Sequence, residues 1–150
     1  MTADNNGMTE ILAAVDGSDH STRVIEFAVN LAKAMSASIV LVYSAQKEHV
    51  PVGYKEYAEA EGAPEDYHEE LASQVLADYA QKIAKKGVKV ESISGVRDAT
   101  KLIIDTAKAR EVSQIVIGVH GLHRLAKVEA LGSVARRVVE SSPVPVTVVP

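Results

Sequence analysis

Short, almost unbroken apolar runs alternate along this chain with longer stretches in which apolar residues recur every third or fourth position. The first run, TEILAAV (Thr9 to Val15), is stopped by DGSD, the form of a strand buried on both faces that ends in a turn. Beyond the turn, Val24, Phe27, Ala28, Leu31, Ala32 and Met35 fall at the spacing of one helical face, with Ser18 or Asp19 as the N-cap. SIVLVYS (Ser38 to Ser44) repeats the buried-strand pattern. Residues 45–66 carry Pro, Gly and five Glu without a steady apolar period, which predicts a long solvated loop. From Tyr67 to Lys86, the positions Leu71, Val75, Leu76, Tyr79 and Ile83 predict a second helix, closed by KKG with cations in the last turn and Gly87 as the C′ residue.

The second half continues the alternation. VKVESIS reads as a strand, DATKLIIDTAKAR as a helix with Ala99, Leu102, Ile103, Thr106 and Ala107 facing inward, SQIVIG as a short strand and Ser133 to Glu140 as a helix. PVPVTVVP is the last strand, with Pro143 and Pro145 confined to its start. Five strands separated by four helices predict an α/β fold: a three-layer, doubly wound, mostly parallel sheet with right-handed crossovers and helices on both faces. Ligands in such a sheet sit beyond the carboxyl ends of the strands, where the winding reverses.

Composition narrows this picture. A chain of 150 residues suits one domain; we expect it to span 9–150, with residues 1–8 a flexible polar lead-in. One Phe and no Trp leave an aliphatic core and argue against the aromatic sandwich a flavodoxin needs. A net charge of -4 offers no basic face for nucleic acid or an anionic membrane. The absence of cysteine removes disulfides, thiolate metal sites and Cys nucleophiles. With neither a membrane-length apolar run nor a signal-peptide start, the expected address is the cytoplasm.

Two stretches at predicted strand ends carry candidate chemistry. In AAVDGSDHS, Asp16 follows the first strand directly, where its carboxylate can accept hydrogen bonds from a ribose or an adenine amino group, or simply open a turn. In GVHGLHRLAKVEALGSVARR, Gly118 closes a strand, Gly121 stands three residues on, and Gly132-Ser133 opens a helix. Glycines let backbone N–H groups approach an anion, and the start of a helix favours phosphate; the alternative is a turn followed by an ordinary cap. His120 and His123 lack a neighbouring acidic residue or Cys, so no metal site is expected. His20, His49 and His68 read as surface residues, and Arg124, Lys127, Arg136 and Arg137 as solvated or interface groups. A phosphorylated receiver domain would need a second acidic residue beside Asp16 and an Asp ending the third strand, which instead ends SISG.

AAVDGSDHS, GVHG, LGSVARRVV and the terminal SSPVPVTVV together resemble the universal stress protein family from about Thr9 to the end. The resemblance implies a Rossmann-like, adenine nucleotide alpha hydrolase-like fold. It further implies ATP held at the strand ends, with Mg²⁺ able to bridge its phosphates. On that pattern Asp16 lies on the adenine side, Gly118, Gly121, Gly132 and Ser133 wrap the phosphates and ribose, and the backbones of Ala14, Ile117 and Val134 flank them. The chain departs from the pattern twice. Ten residues, Leu122 to Leu131, separate Gly121 from Gly132 where the family has nine, which calls for a bulged loop or a different helix start. LVYSAQ puts polar Ser44 at the wall that contacts adenine in relatives, implying weaker binding or a shifted base. A homodimer joined through the last strand is also implied, together with an unnamed protein partner. Nothing in the sequence forms a dedicated hydrolytic site. The competing readings are a member that acts through protein contacts without nucleotide, and a slow ATPase.

Overall fold

The computed structural model describes residues 7–44, 67–120 and 131–150. The expected acidic loop of residues 45–66, and Gly121, His123, Arg124 and Lys127 of the glycine-bounded stretch, lie outside the described residues, as does all but the last part of the expected lead-in.

Five strands and four helices alternate. They are β1 (Glu10–Val15), α1 (His20–Met35), β2 (Ser38–Ser44), α2 (Tyr67–Lys85), β3 (Val90–Gly95), α3 (Ala99–Arg110), β4 (Gln114–Gly118), α4 (Ser133–Ser141) and β5 (Val146–Val149). The sheet runs β3-β2-β1-β4-β5 with every neighbouring pair parallel. The winding therefore reverses between β1 and β4, whose carboxyl ends bear Asp16 and Gly118. Pro143 and Pro145 precede β5, as the sequence predicts; the Pro145 carbonyl accepts from Ile115 N–H at 2.9 Å, a bond that requires no donor from the proline.

Alternation along the strands divides the core in two. Ile11, Ala13 and Val15 of β1, with Ile39, Leu41 and Tyr43 of β2, meet α1 and α2 on one face. Leu12, Ala14, Val40 and Val42 meet α3 and α4 on the other. Every residue of β1 is buried, which is why its sequence shows a run instead of alternation.

The buried face of α1 differs from the expected one. Ser21, Val24, Ile25, Ala28, Val29 and Ala32 point inward, whereas Phe27 and Met35 are 41% and 38% exposed. The helical template starts at Ser21, and a hydroxyl at its first position disguises the register. In α2 and α3 the expected faces are found, with Leu71, Val75, Leu76 and Ile83 buried in one and Leu102, Ile103, Thr106 and Ala107 in the other. Gly87 follows α2 with φ +82°, the left-handed conformation expected of a C′ residue.

Glu10 is the one charged residue buried among these apolar runs within the described residues. Arg110, at the end of α3, grips it with two bonds, Nε to Oε1 at 3.1 Å and Nη2 to Oε2 at 2.8 Å. The same guanidinium reaches Glu91 of β3 at 3.0 and 2.6 Å. These bonds hold the Glu91 carboxyl below the usual range and raise the Arg110 guanidinium above its own. The cluster fastens the amino-terminal end of the sheet, opposite the strand ends that carry the candidate chemistry.

Candidate functional site

At the exit of β1 the chain turns at Gly17, whose φ of +79° is easily reached only without a Cβ. The Asp16 carboxylate organises this turn. Its Oδ1 accepts from Ser18 N–H and from the Ser21 hydroxyl, both at 2.9 Å, while Asp16 N–H donates to Ser21 Oγ at 3.2 Å. Ser21 also hydrogen-bonds Tyr79 of α2, whose phenol is pushed above its ordinary range, chiefly by burial. Asp16 is thus the opener of a turn, one of the two roles the sequence allows it. Among the described residues no hydrogen bond occupies Oδ2, so one carboxylate oxygen is left for a further donor.

The capping expectation for α1 is corrected. Asp19 occupies the N-cap position but makes no side-chain cap bond, and Ser18 Oγ is buried without a partner among the described residues. The first turn closes instead through backbone bonds, Ser21 N–H to the Ser18 carbonyl at 3.0 Å and Thr22 N–H to that of Asp19 at 3.3 Å. Asp16 has already taken the Ser18 amide that a tighter cap would rearrange. A polar cleft of about 180 Å³ opens beside this turn, between Ser18, Asp19 and Thr22 and the Asp78, Tyr79 and Lys82 face of α2. It is below the roughly 300 Å³ at which small-molecule sites usually begin.

At the exit of β4, Val119 N–H donates to the Val149 carbonyl at 2.9 Å and the Val119 carbonyl accepts from Gly132 N–H at 2.8 Å. The chain therefore leaves β4 and enters α4 through a closed neck. Gly132 is the N-cap with extended backbone (φ -58°, ψ 157°) and supplies no side-chain bond. The first intrahelical donor is Arg136, whose N–H reaches the Gly132 carbonyl at 2.9 Å. The N–H groups of Ser133, Val134 and Ala135 precede it and have no acceptor within the helix. With the dipole behind them they form a positive edge just past the end of β4.

The fold brings most of the sequence-predicted residues to this crest. Ala14 and Ile117 lie on adjacent strands with their side chains in the α3–α4 core, joined there by Val134, so only their backbones can face a ligand. Ser133 is exposed at the helix start. Ser44 ends β2, one strand further out, and its hydroxyl donates to the Arg97 carbonyl; it clamps the β2 end to the segment before α3. Gly121 falls outside the described residues.

Two features differ from the sequence reading. A Cβ built on Gly118 would lie 2.6 Å from His20 Cδ2, so the space freed by this glycine is filled by an imidazole. His20, read from sequence as a surface residue, is half-buried, and its Nε2 lies 2.8 Å from the Val149 carbonyl. Its partner is 129 residues away, and no local pattern reports such a contact. Among the described residues no group of three His, Asp or Glu side chains is placed to hold a metal, and no helix is long and apolar enough to cross a membrane.

Comparison with known proteins agrees with this architecture. The model of the universal stress protein family matches residues 8–150. Universal stress protein YxiE of Bacillus subtilis is 31% identical over 147 residues, covering 93% of this chain and 97% of the relative. Universal stress protein MJ0531 of Methanocaldococcus jannaschii is 29% identical over 93% of this chain and 81% of its own. The solved structure of the universal stress protein from Archaeoglobus fulgidus in complex with dAMP is 27% identical, covers 100% of both chains and superposes with a TM-score of 0.69. This chain belongs to the universal stress protein family.

Proposed function

We propose that the protein is a regulatory protein that binds an adenine nucleotide, ATP in the first instance, at the carboxyl ends of β1 and β4. One observation carries the reading: the neck between Val119 and Gly132 sets the amides of Ser133, Val134 and Ala135, which have no acceptor among the described residues, just beyond the β4 exit. An anion is the natural complement of that edge. Asp16 Oδ2, on the adjacent strand end and without a hydrogen bond among the described residues, supplies the acceptor that a ribose hydroxyl or adenine amino group requires. The dAMP complex of the Archaeoglobus fulgidus relative supports adenine as the base class. On this reading Gly118 and Gly132 border the phosphate side, Ala14, Ile117 and Val134 contribute backbone, and Ser44 borders the base. Mg²⁺ would accompany the triphosphate and offset its charge, and the nucleotide itself would hold it, since no group of three His, Asp or Glu among the described residues is placed to do so.

The proposal extends to a homodimer paired through β5, a sheet edge bearing Val146 and Val148. Covering such an edge with its twin removes an aggregation-prone surface. A cytoplasmic signalling role follows, in which occupancy of the site is read by a protein partner.

A second reading, a member acting through protein contacts alone, is favoured by two details. The Gly132 amide is already used by Val119, and the hollow at Gly118 is filled by His20. Isothermal titration with ATP and Mg²⁺ separates the readings. Saturable binding of one nucleotide per chain supports the first, and absence of heat and of thermal stabilisation at millimolar ATP supports the second.

A further inference from the structure

His20 is the first residue of α1, four positions beyond Asp16. Its ring touches separate parts of the crest. Nε2 faces the Val149 carbonyl at 2.8 Å; a carbonyl only accepts, so this nitrogen carries a proton whether the ring is neutral or charged. The ring edge fills the position of a Cβ on Gly118, 2.6 Å from Cδ2 and 3.3 Å from Nε2. One turn further along α1, Arg23 Nη1 reaches the Pro150 carbonyl at 3.4 Å. The Val149 carbonyl is also the acceptor for Val119 N–H at 2.9 Å, and the Val119 carbonyl is in turn the acceptor for Gly132 N–H.

We propose that His20 is a positioning residue: its imidazole, seated on Gly118 and bonded to the Val149 carbonyl, fixes the Val119 peptide that holds the α4 entry in place. The consequence for ligand binding rests on the nucleotide reading above. The chain of contacts has a direction. The imidazole pins the end of β5, the pinned carbonyl orients the Val119 peptide, and that peptide orients Gly132 and the amides behind it. Gly118 then has a reason to be glycine that involves no ligand. A methyl there would push the ring aside, and the ring can yield only by releasing Val149.

Four variants test this: His20→Ala, His20→Gln, Gly118→Ala and the double variant H20A/G118A. Amide hydrogen exchange is measured by NMR on the nucleotide-free chain, and ATP binding by titration with Mg²⁺. His20→Ala should speed exchange at Val119 and Gly132 about tenfold while Leu41 and Ile93, on the far side of the sheet, keep wild-type rates, and should raise the Kd for ATP about fivefold to tenfold. His20→Gln, whose amide can donate to the same carbonyl, should recover most of both. Gly118→Ala should mimic His20→Ala, and adding it to His20→Ala should change little more. Unchanged exchange at Val119 in His20→Ala, or fully additive effects in the double variant, would overturn the proposal. A wild-type chain that takes up no ATP overturns the nucleotide reading instead, and the exchange pattern and the double-variant comparison then still support or overturn the role of His20.

Discussion

Gly132 N–H donates to the Val119 carbonyl over 2.8 Å, closing the stretch between β4 and α4 at its base. Gly132 is the N-cap and Ser133 the first residue of α4, so the Gly-Ser pair opens the helix where the sequence places it. The proposed phosphate side is thus framed by one backbone bond and one helix start.

Ser133→Asp separates helix stability from anion binding. A carboxylate in the first turn of α4, which has no acidic residue there, favours the helix by about 0.3–1 kcal/mol through the dipole. The same charge repels phosphate. The variant is expected to melt at or slightly above the wild-type temperature while losing at least about tenfold in ATP affinity, measured by thermal denaturation and titration.

Ser21→Ala tests the turn that aims Asp16. Ser21 is 2% exposed and its hydroxyl serves Asp16 from both sides and Tyr79 from a third. Its loss is expected to cost about 1–3 kcal/mol of stability in urea unfolding, with weaker nucleotide binding. Tyr79→Phe, which leaves both Asp16 bonds in place, is expected to affect affinity less.

Arg110→Ala removes the guanidinium that grips the buried Glu10 carboxylate with two bonds. With side chains only 13% and 4% exposed, the pair behaves as an interior ion pair, and removal of the cation is expected to cost about 3 kcal/mol in chemical denaturation. Glu91, held below its ordinary range by Arg110, adds a pH dependence. Its contribution is fully present above the unfolded carboxyl's pKa and is lost as pH falls through the lower folded value. Wild-type stability should therefore decline on acidification, and Glu91→Gln should flatten part of that decline. The effect is modest because Glu91 is largely exposed.

Val148→Pro tests pairing through β5. The Pro145 and Val149 carbonyls face β4, so by strand alternation the backbone groups of Val146 and Val148 face the open edge. Proline at 148 removes an outward donor without touching the bonds to β4. A fall from dimer to monomer mass in light scattering, with folding retained, is the expected result. A wild-type chain that is monomeric at high concentration contradicts the pairing.

Much of the fold was legible because the strands that carry it are buried on both faces. Runs such as those of Thr9 to Val15 and Ser38 to Ser44 have no other economical reading, and Gly87 and the prolines before β5 mark their boundaries by backbone chemistry alone. The buried face of α1 is hidden from the apolar spacing because Ser21, its first inward residue, is polar and bonded to Asp16, while Phe27 and Met35, although apolar, lie on the exposed flank. Within the candidate site, the aspartate that opens the turn after β1 and the glycine that caps α4 are legible, because turn and helix-start chemistry is local. The site is not legible where it depends on contacts between distant positions. His20 meets Val149 and Gly118, and Ser44 ties to Arg97, through packing that no spacing rule encodes. The same holds for Arg110 and Glu10, 100 residues apart.

Nucleotide occupancy is tested most simply by the mass of the intact protein under non-denaturing conditions, before and after addition of ATP and Mg²⁺. The proposed function predicts a two-chain species that acquires one nucleotide per chain, with the Ser133→Asp variant less occupied at the same concentration. A wild-type species whose mass stays that of protein alone at millimolar ATP would refute it.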